Sequence, residues 1–441
     1  MPNQVCHFIH DLSFPDLPPE VVEQARRCLV DLVGVAATGS TTELSRIVRD
    51  YAAHNLGGNH RPTRLWFDGR VVSPAGAALA HASTIDAMDS HDGHRLTKGH
   101  AGVALLPAAI ATLEPTANAT LGDVLTALVV GYEIATRAGI ELHATAADYH
   151  SSGAWNAIGA AAIAARGLGL DHGATEHALG IAEYHAPRAP MMRCIEHPTM
   201  IKDSSGWGAH TGVASALLAA GGFTGAPAEL LTSSSGSLWQ DLGANWLIME
   251  QYFKSHPVCR WAHPAIDAML HLVRQHAVAP EDIGHIEVTT FAPATTLVIT
   301  TPQTTEEAQY SLPFPVATAA VHQTVTPHHV GHPELANNHV RRLAESMRVH
   351  ESPAMTAVTP FRHEADVTLV MHDGRHLSSG PMIAIGDPEN LLSTDALVAK
   401  FHADTQPVLG PDRSKRLFTR LEADADSPLV ELLDEMCPPL P

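Results

Sequence analysis

Alanine- and glycine-rich segments of helical length recur through the first half of this 441-residue chain, and they contain few charged residues. Small side chains allow helix backbones to approach closely, and helices that are apolar on most positions must be buried. Several such helices pack against one another, which leaves the polar loops that join them at the ends of a bundle. The segments are Pro74 to Met88, Val103 to Leu113, Val124 to Tyr132 and Asn156 to Leu168. They predict a mainly α fold with an all-α helical bundle domain.

The sequence changes character after about residue 250. Ile283 to Phe291 and Ala365 to Gly374 alternate apolar and polar residues and are rich in β-branched side chains, which is typical of strands with one buried face. Helical patterns lie beside these strands, and a purely helical pattern returns from Ser393 onward. The chain is long enough for two domains. We therefore expect a smaller α+β unit of roughly 130 residues beside the helical bundle.

Composition narrows the class of partner. The chain has 27 Lys and Arg residues against 47 Asp and Glu residues, and its formal net charge of −20 argues against nucleic acid. Met1 to Pro19 lacks the basic and apolar regions of a signal peptide, and no apolar run is long enough to cross a bilayer. The five cysteines lack metal-site or disulfide spacing, and neither GxGxxG nor a P-loop occurs. We expect a soluble cytoplasmic protein with reduced thiols, no membrane partner and no nucleotide cofactor.

The polar loop between the first two apolar segments, Asp89 to Gly102, concentrates reactive side chains. Carboxylates and imidazoles either transfer protons or hold a metal ion. Arg95 and Lys98 lie among them and would oppose a divalent cation, and no HExxH spacing is present. The loop therefore indicates a proton-transfer and anion-binding site, with a metal-dependent lyase or hydrolase as the alternative. The ligands in that alternative would be His91, Asp92, His94 and His100.

Three later segments place imidazoles and cations beside glycine or proline. His150 precedes Gly153 and an apolar helix, whose free N–H groups attract carboxylates. Lys202 stands just before another alanine-rich helix, and such a lysine neutralises substrate charge or, when desolvated, acts as a base. Lys254 and Arg260 lie where the helical part meets the α+β part, and small-molecule pockets favour such junctions. The joint pattern favours an anion-binding site built from these segments.

These segments, in this order, resemble the 2-methylcitrate dehydratase family, which is also called MmgE/PrpD. The similarity extends over nearly the whole chain, and the ordered set is specific although each motif is short. The matching stretches are Ala87 to Asp89, Gly99 to Gly102, Leu106 to Ala108, Gly131 to Arg137, His150 to Gly159, Leu179 to Ala182, Lys202 to Gly212, Gly222 to Gly225, Phe253 to Pro264, Ala308 to Pro313 and Gly386 to Pro388.

The resemblance implies a definite architecture. Each subunit of a homodimer would have an all-α domain formed by residues 1–250 and 386–441, with a smaller α+β lid of residues 251–385 inserted between them. The active site would lie between the two domains and bind a small di- or tricarboxylate without a metal or organic cofactor. The polar pocket positions of the family correspond here to Asp89, His100, His150, Lys202 and Lys254.

The chemistry that the family shares is removal of a proton from a carbon next to a carboxylate. Such a site needs a base, for which His150 and His100 are the candidates, and cations that stabilise the enediolate. The residues expected to act in catalysis are Asp89, His100, His150 and Lys202. The residues expected to bind the substrate are His94, Arg95, Lys98, Lys254 and Arg260.

Several reactions can follow from such an intermediate. Loss of hydroxide would resemble 2-methylcitrate dehydratase, and reprotonation on the other face would resemble iminodisuccinate epimerase, to which the loop sequence Asp92 to His100 is closer. Cys259 and Phe314 stand where related cis-aconitate decarboxylases carry a histidine and a tyrosine, which weighs against decarboxylation. The further alternatives are the metal-dependent enzyme and a catalytically silent binding protein that keeps the fold.

Overall fold

Helices account for most of the chain, which confirms the predicted mainly α fold. The computed structural model describes residues 2–58, 60–232 and 237–440. The alanine- and glycine-rich segments form α4 to α7, so their composition predicts both the type and the place of these elements. The helices before residue 250 are α1 (Pro2–Asp11), α2 (Pro19–Gly39), α3 (Glu43–Asn55), α4 (Pro74–Asp86), α5 (Gly102–Leu113), α6 (Leu121–Thr145), α7 (Gly153–Gly167), α8 (His172–His185), α9 (Met192–Glu196), α10 (Ser205–Ala220), α11 (Glu229–Thr232) and α12 (Ser237–Gln240).

Close backbone contact between the central helices depends on small residues. A Cβ atom added to Gly212 of α10 would lie 2.5 Å from the Cβ of Ala160 in α7. A Cβ atom on Gly159 would lie 2.7 Å from the Cβ of Ala135 in α6. Because neither contact leaves room for a methyl group, the glycines set the distance between these helices.

One mixed sheet lies in the second half of the chain. Its strand order is β4-β3-β5-β6, and β7 also pairs with β5. β3 pairs with β5 in antiparallel register, with Val288 opposite Val367, and with β4 in parallel. The alternation predicted strands at the positions of β3 and β5, whereas β4, β6 and β7 are too short to show a pattern. The strands are β1 (Thr63–Arg64), β2 (Val71–Val72), β3 (Ile283–Thr290), β4 (Arg348–Glu351), β5 (Glu364–Met371), β6 (His376–Ser378) and β7 (Met382–Ile383).

Helices accompany the sheet and then return to the first half of the chain. Those beside the sheet are α13 (His263–His276), α14 (Thr305–Gln309), α15 (Pro313–His322), α16 (Asn338–Glu345) and α17 (Pro353–Val358). The last helices are α18 (Thr394–Leu409), α19 (Pro411–Leu421) and α20 (Leu429–Met436). α18 packs on α2, where the Thr38 hydroxyl donates to the Asp404 carbonyl over 2.8 Å and Lys400 pairs with Asp31 over 2.6 Å. The C-terminal helices thus complete the packing around α2.

The described helices and the cysteines agree with the compositional predictions. None of the helices in the described ranges combines the length and the apolar character that a membrane crossing requires. Cys6, Cys28, Cys194, Cys259 and Cys437 are all free thiols, and all except Cys194 are buried. None of these five cysteines therefore forms a disulfide cross-link.

Candidate active site

A cavity of about 500 Å³ lies where the loop between α4 and α5 meets the sheet-containing part of the chain. Its wall also includes Pro293, Thr296 and Pro360, which come from segments next to the strands. Lys202, Lys254 and His150 are not among the residues that line this cavity. The predicted site residues that line it are Asp89, His94, Arg95, Lys98, His100 and Arg260.

The loop is fixed at Gly93. The Gly93 N–H donates to the Tyr252 carbonyl over 3.1 Å, and the Tyr252 N–H donates to the Gly93 carbonyl over 2.8 Å. A Cβ atom at position 93 would lie 2.4 Å from the Tyr252 hydroxyl and 2.7 Å from His100 Nδ1. Only glycine allows this approach, which places His100 and Tyr252 together in the cavity wall.

His100 has one nitrogen committed to the protein and the other facing reactive groups. Its Nδ1 lies 2.7 Å from the carbonyl oxygen of Asp92. A carbonyl only accepts hydrogen bonds, so Nδ1 carries the proton and Nε2 has a free lone pair. Burial, then the charges of Lys254 and His91, hold the pKa of His100 well below its usual range. The ring is therefore a neutral imidazole whose basic atom, Nε2, lies 3.9 Å from the nearer Asp89 carboxylate oxygen.

Asp89 and Lys254 form a buried ion pair beside His100. The Lys254 ammonium donates to both the carboxylate and the main-chain carbonyl of Asp89, the latter over 3.2 Å. Burial alone would raise the pKa of Asp89, but the charges of Lys254 and Lys202 reverse that effect and hold the pKa below its ordinary value. Asp89 is therefore an ionised carboxylate at neutral pH.

Lys202 is the second buried cation of this region. Its ammonium donates to the Gln309 side-chain carbonyl over 2.6 Å and lies 4.9 Å from the ring centre of Tyr310, which lines the cavity. Gln309 also accepts from the Asp89 N–H over 2.9 Å and so joins Lys202 to the Asp89 backbone. Within the described residues, Lys202 has no carboxylate at ion-pair distance. Its charge is therefore not neutralised by a carboxylate at ion-pair distance.

Most of the other predicted cations are already paired within the protein. Arg95 donates to the Phe361 carbonyl over 2.5 Å and to Glu389 over 2.7 Å. Arg260 pairs with Asp387 over 2.8 Å and stacks over the Tyr252 ring at 4.8 Å. His94 Nε2 lies 3.3 Å from Glu250, and Lys98 is exposed and lies over the Tyr149 ring at 5.9 Å. Because Arg95 and Arg260 are already paired with carboxylates, they are better suited to stabilising the cavity wall than to binding an anionic ligand.

His150 lies outside the cavity wall. Its ring Nδ1 is 2.7 Å from the Asp148 carbonyl oxygen, and its main-chain N–H donates to His143 Nε2 over 3.2 Å. Its role as a base stays a prediction, whereas His100 lines the cavity.

The loop residues proposed as ligands in the metal alternative contact different partners and do not form one group. Asp92 accepts from the Tyr132 hydroxyl over 2.8 Å, His91 lies 3.6 Å from Asp86, and His94 faces Glu250. Among the described residues, no three His, Cys, Asp or Glu side chains are grouped so that they could hold a metal ion. The described part of the chain offers the metal-dependent alternative no ligand set.

Four residues that sequence reasoning did not assign belong to the site. Tyr252 and Asp203 line the cavity, and Gln309 connects Lys202 to the Asp89 backbone. Ser152 accepts from the His100 N–H over 2.9 Å. Each lies within or beside a motif that the family resemblance had marked, which was the available signal.

Comparison with known proteins identifies the family. The model of the MmgE/PrpD N-terminal domain matches residues 3–244, and that of the C-terminal domain matches residues 256–423. The chain belongs to the MmgE/PrpD family. The two models meet between residues 244 and 256, at the point where the chain enters the segment that carries Lys254 and Arg260.

The curated relatives of this MmgE/PrpD member are about a quarter identical to it over the aligned residues. A cis-aconitate decarboxylase-like protein of Aspergillus oryzae is 26% identical over 62% of this chain and 61% of its own length. A cis-aconitate decarboxylase of Aspergillus terreus is 25% identical over 62% of this chain and 60% of its own length. The human cis-aconitate decarboxylase is 24% identical over 98% of this chain and 94% of its own length. The match to the two fungal relatives thus spans about three fifths of their length.

Proposed function

We propose that this member of the MmgE/PrpD family is a lyase-type enzyme that removes a proton next to a carboxylate of a small di- or tricarboxylate. The observation that carries the proposal is the state of His100, a neutral imidazole in the cavity wall with Nδ1 tied to the Asp92 carbonyl. Its free Nε2 is the atom that would take the proton. The chemistry uses side chains alone, without a metal or organic cofactor.

Binding of the substrate would prepare His100 for this role. Burial, and then the neighbouring charges on Lys254 and His91, keep the pKa of the free imidazole low. A bound carboxylate brings negative charge beside the ring and raises that pKa toward the operating pH. The base is thus unprotonated before binding and becomes stronger when the substrate is in place.

The buried ammonium groups supply the electrostatic stabilisation that an enediolate requires. Lys254 is paired with Asp89, whereas the Lys202 ammonium has only the neutral Gln309 amide as a hydrogen-bond partner among the described residues. In a buried site a positive charge acts more strongly than in water. We propose that Lys202 acts on the substrate carboxylate from beside Tyr310, with Lys98 at the exposed rim.

Two lyase reactions have support. The family resemblance favours elimination of the dehydratase type, whereas the relatives named cis-aconitate decarboxylase favour decarboxylation. Cys259 and Tyr310 line the cavity, whereas Phe314 is buried and is not among its lining residues. Epimerisation of the iminodisuccinate type needs a second acid–base group on the other face of the carbon, and it remains a further candidate.

A panel of substrates distinguishes these reactions. The wild-type enzyme is incubated with 2-methylcitrate, citrate, cis-aconitate and iminodisuccinate, and each mixture is followed by proton NMR. We expect at least one compound to be converted, with loss of water or carbon dioxide. Conversion of none of the four compounds, or conversion only after a metal ion is added, would contradict the proposal.

We also propose that residues 251–385 form a lid on an all-α domain of residues 1–250 and 386–441, and that the enzyme is cytoplasmic. The position of the cavity supports the lid, because residues from both parts line it, Asp89 and His100 from the first and Pro293 and Thr296 from the second. Arg95 would hold the closed arrangement, since it donates to the Phe361 carbonyl of the proposed lid.

An exposed apolar surface supports the proposed homodimer. It is lined by Ile47 and Tyr51 of α3, Ile201 and Trp207, and the last two are 72% and 52% exposed. Apolar patches of this kind are commonly covered by a second subunit. We expect sedimentation equilibrium to give a dimer that Trp207→Glu converts to monomer and Tyr184→Glu, on the 76% exposed Tyr184 elsewhere, leaves intact. A monomeric wild type would contradict the dimer.

A further inference from the structure

Asp203 is a buried carboxyl group in the cavity wall that the mechanism above does not use. It precedes α10 and lies between Lys202 and Ser204, whose φ angles of 52° and 57° are both in the left-handed region. Non-glycine residues in this region are strained, and strain of this kind concentrates at functional sites. The backbone is therefore held in an unfavourable turn that presents Asp203 to the cavity.

Both carboxyl oxygens of Asp203 contact one residue, Ser152. The Ser152 N–H donates to Oδ1 over 2.8 Å, and the Ser152 hydroxyl is hydrogen-bonded to Oδ2. The same hydroxyl accepts from the His100 N–H over 2.9 Å. Ser152 thus connects Asp203 to the backbone of the residue that we propose as the base.

Unlike Asp89, Asp203 has no cation at ion-pair distance within the described residues. The adjacent Lys202 directs its ammonium to Gln309 instead. Burial, followed by the negative charge of Asp86, raises the pKa of Asp203 to about 8, while the Ser152 hydrogen bonds act in the opposite direction. The carboxyl group is therefore protonated at neutral pH. The titratable groups around it are Asp86 at the end of α4, Asp89 in the loop, Tyr149 before α7, Cys194 in α9 and Tyr310 after α14.

We propose that Asp203 is the acid of the reaction and gives its proton to the substrate after His100 Nε2 has taken one. The inference rests on the proposed function. In an elimination, the electrons of the C–H bond form the new double bond, the C–O bond breaks, and the departing oxygen takes the Asp203 proton to leave as water. In a decarboxylation, the proton on His100 first returns to another carbon of the substrate and the double bond shifts; the C–C bond then breaks, carbon dioxide leaves, and the carbon that keeps the electron pair takes the Asp203 proton.

The geometry suits a group that must hold a proton and then release it. Burial beside carboxylates keeps Asp203 protonated while no substrate is bound. Once the proton has gone, the Ser152 N–H and hydroxyl are in place to donate to the carboxylate that forms. Two such charge-assisted hydrogen bonds stabilise the anion without a cation.

Asp203→Asn tests the role during turnover, because an amide has a similar shape and keeps an acceptor for the Ser152 N–H but has no acidic proton. We expect product formation to fall about 10²- to 10⁴-fold. Exchange of the substrate proton with deuterated solvent should persist within several-fold, since His100 is intact. Met192→Leu, a volume-conserving change in the same wall, serves as the control. Product formation at the wild-type rate, or an equal loss of exchange and product, would overturn the assignment.

A measurement without substrate separates the two proposals. The infrared difference spectrum of wild type minus Asp203→Asn should contain the carbonyl stretch of a protonated carboxylic acid at pH 7, and this band should disappear as the pH rises past about 8. A carboxylate band at pH 7 would overturn the role of Asp203 even in an enzyme that turns over the panel. If the acid band is present and wild type converts none of the panel, the proposed function fails and the protonated state of Asp203 stands.

Discussion

His100→Ala is expected to lower kcat about 10²- to 10⁴-fold, the range typical for loss of a positioned general base. The physical reason is that Nε2 is the free basic atom that His100 places in the cavity wall, with Nδ1 tied to the Asp92 carbonyl. Steady-state kinetics on the compound that wild type converts would measure the change. Because the pKa of free His100 lies below its usual range, wild-type kcat/KM should stay constant as the pH is lowered to about 6.5 and fall only under more acidic conditions.

His150→Ala is the matched control, since it removes an imidazole of the same size that lies outside the cavity wall. Its effect on kcat should be within about tenfold, because no step of the proposed mechanism passes through its ring. Circular dichroism and thermal unfolding of both variants would show whether the fold is retained. A large loss of kcat in His150→Ala together with a near-normal kcat in His100→Ala would show that His150, and not His100, is the base.

Asp89→Asn is expected to reduce the free energy of unfolding by about 3–5 kcal/mol, because it leaves the Lys254 ammonium buried without its counter-ion. Lys254→Met should lower the free energy of unfolding by a similar amount, since the Asp89 carboxylate would then be buried with only more distant positive charge. Urea unfolding gives the free energies directly. The double variant should lose less than the sum of the single changes, and that difference is the coupling between the two groups.

The ion pair between Asp89 and Lys254 should also make the free energy of unfolding depend on pH in a characteristic way. The pKa of Asp89 is lowered in the folded state, so its contribution is complete above the ordinary aspartate pKa of about 3.9 and is lost as the pH falls below it. Wild type should therefore lose stability more steeply in acid than the Asp89→Asn/Lys254→Met double variant. Strictly additive losses of less than about 1 kcal/mol would show that the pair is solvated and not a buried ion pair.

Local sequence patterns predicted most of the fold. The period and the small residues of the helical segments identified α4 to α7, and strict alternation identified β3 and β5. The parallel pairing of β3 with the four-residue strand β4 was not predictable, because it depends on contact between segments about 60 residues apart and on no local pattern.

Part of the membership of the candidate site was predictable from the sequence, but the charge state of its residues was not. Residue type and family resemblance pointed to Asp89 and His100, both of which the cavity exposes. The pairing of Arg95 joins residues 294 positions apart, so the sequence could not show that this cation is already neutralised. His100 Nδ1 contacts a main-chain carbonyl, a group that every residue possesses. The tautomer of His100 therefore could not be predicted from the sequence.

The most direct test of the central claim, that His100 Nε2 removes the substrate proton, is the incorporation of solvent deuterium next to the carboxylate. Proton NMR in deuterated water at pH 7 would compare wild type, His100→Ala and His150→Ala on the same substrate. We predict exchange by wild type and His150→Ala, and none above background by folded His100→Ala. Exchange by His100→Ala at the wild-type rate would contradict the account.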